Sequence, residues 1–146
     1  ARWSDGQMVG QAEFEVEVAA SSSFRSYQDL DVWQMAMSVA EECYRLTADY
    51  PRDERYGISS QIRRSAVSIP ANIAEGYGRD QTGQYVQFLR VAMGSARELE
   101  THLLLSSRLG LASNEQANPI VERCVRISKM LRSLIRALED QRSISG

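Results

Sequence analysis

Residues 60–79, SQIRRSAVSIPANIAEGYGR, constrain the fold more than any other stretch of this chain. At about 100° per residue, Ile58, Ile62, Ile69, Ile73 and Tyr77 share one narrow stripe of a helix, whereas Val67, Ala71 and Ala74 fall on roughly the opposite side. A helix apolar on two faces is either central to its domain or packs once inside it and once against another subunit. Arg63 and Arg64 project between those faces, where a cation is costly unless it meets a carboxylate, a phosphate or water. Pro70 removes one backbone hydrogen bond from the helix interior and is expected to kink it. Gly76 and Gly78 are expected to stop it by adopting left-handed geometry.

Three further helical patterns surround this one. The first begins at Asp29 or Asp31, either of which can cap orphan amides. Its expected core stripe is Leu30, Trp33, Met37, Ala40 and Tyr44, and Pro51 ends it, because the residue before proline leaves helical geometry. PRDERYG is then a short polar connection of the length usual between bundle helices. A third helix, capped by Thr82 or Asp80, carries a near-heptad seam of Tyr85, Phe88 or Leu89, Ala92, Ala96, Leu99 and Leu103, and Gly110 closes it. Small residues around Gly94 and Ser95 let backbones approach there. The fourth opens at Ser113 or Asn114, passes Pro119 in its first turn, and runs to about Gln141. Its Ile120, Cys124, Ile127, Met130, Leu131, Leu134, Ile135 and Leu138 fall within an arc of roughly 150°. Four such helices with short connections predict an all-α, antiparallel up-and-down four-helix bundle over residues 27–142, with 143–146 a tail.

Residues 1–26 read as an N-terminal extension. QAEFEVEVAA alternates Phe14, Val16 and Val18 with Glu13, Glu15 and Glu17, a period of two that predicts a strand. A lone strand is not stable by itself, so this arm must pair with another chain, pack on the bundle, or stay disordered.

DLDVWQMAMSVAEECYRLT, SQIRRSAVSIPANIAEGYGR and YVQFLRVAMGSARELETHL, in that order and spacing, resemble the bacterial four-helix-bundle family encoded by intervening sequences in large-subunit (23S) ribosomal RNA genes. QIRRSAVSIPANIAEG carries the strongest part of a resemblance that extends from about Tyr27 to about Leu138. It implies a bundle that assembles into a ring, usually described as a pentamer, and implies no catalytic residues. A distant relative of that family is the accessory protein of diversity-generating retroelements, which works with a reverse transcriptase and binds nucleic acid.

Charge narrows the function. The net charge of −2 argues against a simple nucleic-acid sponge, but residues 1–31 hold two of the 17 basic and six of the 19 acidic side chains. The rest of the chain therefore carries 15 against 13, a net of +2. All but one of the basic residues are arginine, whose flat fork grips carboxylate and phosphate and sheds water more readily than lysine. Two basic sets stand out as candidate nucleic-acid contacts. Arg63, Arg64 and Arg79 on the second helix join Arg90 and Arg97 on the third. Arg126, Lys129, Arg132 and Arg136 form a stripe on the fourth helix, opposite its apolar arc. In a ring, a weak patch on one subunit repeats into a strong field. The structural alternative pairs the first set with Glu75, Glu98 and Glu100, and leaves the second as a solvated face.

Catalytic patterns are missing. His102 is the only histidine, so there is no imidazole pair for a metal or a triad. Glu98 and Glu100 sit on different helical faces, Glu98 being placed for a surface contact with His102 four residues on. Glu-x-x-His spacing occurs nowhere. Gly76-Tyr77-Gly78 follows no strand and precedes no Lys-Ser or Lys-Thr, so it is a helix stop and not a phosphate loop. Cys43 and Cys124 read as small core residues in a reducing compartment, and Trp33 and Tyr44 as core rather than a stacking platform. No cofactor is expected. With no apolar run long enough for a membrane span and no signal-peptide pattern at the start, the expected setting is cytoplasmic. The expected function is a non-enzymatic, ring-forming protein that binds structured RNA or DNA beside a reverse transcriptase or RNA-processing partner; the alternative is an oligomeric interaction scaffold.

Overall fold

Four apolar stripes of helical period become four helices. The structure, a computed structural model, describes residues 26–145, so the alternating stretch around Val16 lies outside the described residues. The helices are α1 (Asp31–Ala48), α2 (Ile58–Tyr77), α3 (Thr82–Arg108) and α4 (Asn114–Ser145), with short 3-10 turns at Tyr27–Asp29 and Arg52–Glu54. Each helix packs on its neighbours in sequence, α4 closes against α1, and the diagonal pairs show no close backbone approach. That is the expected all-α, up-and-down bundle. None of the described helices is long and apolar enough to cross a membrane.

The core is a single cluster in which Met35, Ile62, Ile69, Ile73, Leu89, Leu99, Leu103, Ile127 and Leu131 are fully buried. Each such side chain contributes about 1.5–3 kcal/mol relative to an exposed one. The α4 arc is buried throughout, from Ile120 to Leu138, and so are Ile58, Ile62, Ile69 and Ile73 of α2. In α1 only part of the expected stripe is inside: Leu30 and Ala40 are buried and Trp33 is half-buried against the core. Val32, Met35, Ala36, Val39, Cys43 and Leu46 face inward, whereas Met37 is 38% and Tyr44 45% exposed. Three- and four-residue steps can be drawn through either set, and Met37 and Tyr44 lie on the outer one.

Capping follows local chemistry, with some shifts. Asp29 does not cap α1; it completes a capping box with Ser26 on the preceding 3-10 turn, and Leu30 starts α1 with no side-chain cap. Gln81, not Thr82 or Asp80, is the residue before α3. At the far end of α3, Gly110 has φ of 75°, its N–H meets the Ser107 carbonyl at 3.1 Å, and Leu111 N–H meets that of Ser106 at 2.9 Å. This is the left-handed glycine stop expected there. Ser113 Oγ accepts the Gln116 amide at 3.2 Å while Gln116 Oε1 accepts the Ser113 amide at 2.9 Å, which opens α4 by a reciprocal cap. Pro119 is the sixth residue of α4 and so lies beyond its first turn. The helix runs past Gln141 to Ser145.

The glycines ending α2 behave differently from expectation. Gly78 has an ordinary right-handed φ of −78°, and α2 ends without a left-handed residue. Gly76 is buried inside the helix, where an added Cβ would sit 2.7 Å from Phe88 Cβ and 3.2 Å from the Tyr85 carbonyl oxygen. Its role is close helix approach, with no demand on φ. Ser68 and Ser95 hydroxyls bond at 2.8 Å further along the same seam, so α2 and α3 pack through small residues at both levels.

Candidate functional site

Arg63, on the flank of α2 facing α1, is drawn inward by its partners. Its Nε donates to Thr47 Oγ1 at 2.8 Å, its Nη2 to the Tyr44 carbonyl at 3.3 Å, and its guanidinium lies 4.5 Å from the Tyr44 ring centroid. Thr47, 4% exposed, passes the interaction on by donating to the Cys43 carbonyl at 2.7 Å. The cation is thus accommodated by a hydroxyl, a carbonyl and an aromatic face, and within the described chain it does not pair with Glu75, Glu98 or Glu100. Arg64, one residue on, is exposed and makes no ion pair among the described residues.

Chain reversal after α1 then brings more arginine to the same place. The turn Arg52–Glu54 and the residues after it fold over the start of α2, forming a cleft of about 710 Å³ walled by Arg52 and Arg55 on one side and Arg63 and Arg64 on the other. Tyr44, Tyr50 and Tyr56 also line it, and among the described residues no acidic side chain does. Tyr56 is 87% exposed at the rim, with the Arg55 guanidinium 5.5 Å from its ring centroid. Arg52, Arg55 and Tyr56 escape a reading of the sequence that takes PRDERYG as a plain connection. The available signal was two arginines and a tyrosine immediately ahead of a helix start.

The other expected contacts lie elsewhere. Arg79, past the opposite end of α2, pairs with Glu75 and covers the Phe88 ring at 4.8 Å. Arg90 pairs with Glu139 of α4 at 3.1 Å. Arg97 joins Lys129 and Arg132 in a shallow groove of about 190 Å³ between α3 and α4, together with Glu100. Burial raises the Glu100 carboxyl above its ordinary range, against the pull of Arg97. Arg136 is exposed and Arg126 half-buried on the outer side of α4. The first basic set is therefore split four ways, and one of its members, Arg97, merges with the second.

Among the described residues no cluster of three or more His, Cys, Asp or Glu could hold a metal. His102 Nε2 lies 3.3 Å from Glu98 Oε2, a one-turn surface contact. Cys43 and Cys124 are buried, and burial pushes the Cys43 thiol up to about 12 and that of Cys124 higher still. Neither is a nucleophile at neutral pH. Between α1 and α4, Arg123 pairs with Glu42 and donates to Ser38 Oγ at 2.8 Å, which ties the ends of the chain's helical order together.

The family described as 23S rRNA-intervening sequence protein matches residues 28–133. Among solved structures, a protein of unknown function from the S23 ribosomal protein family of Bacteroides thetaiotaomicron VPI-5482 aligns with a TM-score of 0.65 and 28% sequence identity, covering 71% of this chain and 97% of its own. No curated protein matches the chain.

Proposed function

Because the chain belongs to the 23S rRNA-intervening sequence protein family, with the bundle that its sequence led one to expect, we propose that it is a non-enzymatic homo-oligomer that binds structured RNA or DNA. The observation that carries this reading is the arginine cleft at the α1–α2 turn, which four arginines line with no carboxylate beside them among the described lining residues. Such a wall attracts phosphate. Contact through phosphates also suits a molecule with no helix arranged to read base edges. A reverse transcriptase or an RNA-processing protein is the partner class that fits such a binder.

A ring, with a pentamer as the expected size, would repeat the cleft around an axis and multiply its field. Support for assembly comes from Val67, 45% exposed opposite the α2 core stripe, and from Met37, Tyr44 and Val91 on the outer faces of the flanking helices.

The scaffold reading has its own support at Arg79 and Arg90, which are satisfied by Glu75 and Glu139 of the same chain. Titration with structured RNA at several ionic strengths separates the two. Binding should weaken steeply with salt, and replacing Arg52, Arg55 and Arg64 by Ala should lower the affinity and flatten that slope. Absence of binding at low salt leaves the scaffold.

A further inference from the structure

The geometry points to a site for a nucleotide phosphomonoester in the arginine cleft, with the phosphate between Arg52, Arg55, Arg63 and Arg64 and the base stacked on Tyr56. This deepens the nucleic-acid reading by naming what the cleft holds.

Charge count is the first argument. One backbone phosphodiester carries a single charge, whereas a terminal monoester carries about 1.5 to 2 at neutral pH and offers three strong acceptor oxygens. Four guanidiniums around one cavity match the second far better. Arg63 keeps donors to spare after its bonds to Thr47 and Tyr44, and among the described residues no carboxylate lines the cavity to compete for them.

The start of α2 adds a second set of donors. Gly57 precedes the helix without a side-chain cap and the first turn has no acidic residue. The first intrahelical bond of α2 runs from Gln61 N–H to the Gly57 carbonyl at 3.2 Å, so the amides of Ile58, Ser59 and Ser60 lie ahead of it. A helix start without a capping side chain favours an anion; both serines line the cleft, and the Glu54 carboxylate stands beside Gly57, 3.0 Å from where a Cβ would lie.

Shape supplies the third argument. The cleft, open to solvent with a volume of about 710 Å³, is larger than an isolated phosphate needs. Tyr56 stands exposed at the rim beside the phosphate-binding arginines, where a base attached to that phosphate would meet an aromatic face.

The test uses the whole chain and three probes: AMP, a short single-stranded RNA with a 5′-phosphate, and the same RNA with a 5′-hydroxyl. The expected result is that AMP binds, that the phosphorylated RNA binds about tenfold or more tighter than its hydroxyl form, and that AMP competes with it. The Arg52→Ala/Arg55→Ala/Arg64→Ala variant should lose both effects with an unchanged circular dichroism spectrum. Arg64→Glu, a single exposed change, should lose them in part should the triple variant misfold. Tyr56→Ala should weaken AMP but not inorganic phosphate. AMP binding that these variants abolish, without any preference among the RNAs, would support the site with a free nucleotide as its source. If both RNAs bind alike and AMP does not, the monoester site is overturned while the nucleic-acid reading stands. If nothing binds, both fall.

Discussion

Arg63 and Thr47 are joined across α1 and α2 by a 2.8 Å hydrogen bond, and the threonine is buried while the arginine opens onto the cleft. One guanidinium therefore serves stability on one edge and electrostatics on the other. Arg64 has only the second role. Arg63→Ala leaves Thr47 and the Tyr44 carbonyl without this donor and removes the cation–aromatic contact, which should cost about 1–3 kcal/mol. Arg64→Ala should stay within about 0.5 kcal/mol of the parent. Urea unfolding followed by circular dichroism measures both; equal costs would mean that the α1–α2 bond contributes nothing.

Gly76 and Gly94 give a paired test of the α2–α3 seam. A methyl at Gly76 meets Phe88 Cβ at 2.7 Å, so backbone or ring must move, whereas one at Gly94 meets nothing within 4 Å. Gly76→Ala should destabilise by about 1–3 kcal/mol through overpacking. Gly94→Ala, on an exposed helix interior, should stabilise by about 0.5–1 kcal/mol by restricting the unfolded chain. Thermal melts of the two variants should move in opposite directions.

These residues mark what the sequence made legible and what it did not. The bundle was readable because period 3.6 is a local signal, and the α4 arc from Ile120 to Leu138 is buried to the last member. In α1 that same signal was ambiguous, since Met37 and Tyr44 also recur at helical spacing yet face outward. Gly76 looked like a helix stop because its true constraint, Phe88, lies on another helix. Arg63 was expected to meet a carboxylate, a phosphate or water; a hydroxyl, a carbonyl and a tyrosine ring are weak signals in sequence. The cleft was hidden for the same reason. Arg52 and Arg55 meet Arg63 and Arg64 only after the chain reverses, and no spacing rule announces that meeting.

Cys43 and Cys124 set the alkaline limit of the fold. Burial holds both thiols protonated in the native state, Cys43 to about 12, whereas in the unfolded chain they ionise near about 8.5. Because the folded-state value is raised, this contribution is fully present below about pH 8.5 and is lost as pH rises from there toward the folded value. The melting temperature should therefore fall through that window, and the fall should be shallower in the Cys43→Ala/Cys124→Ala variant, whatever packing it sacrifices. Iodoacetamide at pH 8 should leave both thiols unmodified until urea unfolds the chain. Rapid native labelling would contradict the burial.

Val67 and Ile69 are two residues apart on α2 and face opposite ways, one 45% exposed and the other fully buried. Contacts at Ser68–Ser95 and Gly76–Phe88 fix the α2–α3 register, and Val67 and Ala71 of α2 and Val91 of α3 are exposed apolar residues on these two helices. A bundle core consumes one face of α2, so these residues are the surface that assembly would bury. Multi-angle light scattering at micromolar concentration should give a multiple of 16.4 kDa, and a monomer mass would end the oligomer proposal. Val67→Glu should lower that mass while the melting temperature of the subunit stays near the parent's. Ile69→Glu should abolish cooperative folding altogether, because it places an unpaired charge in the core. If Val67→Glu leaves the mass untouched, the outer stripe of α2 is not the contact, and assembly must use another face.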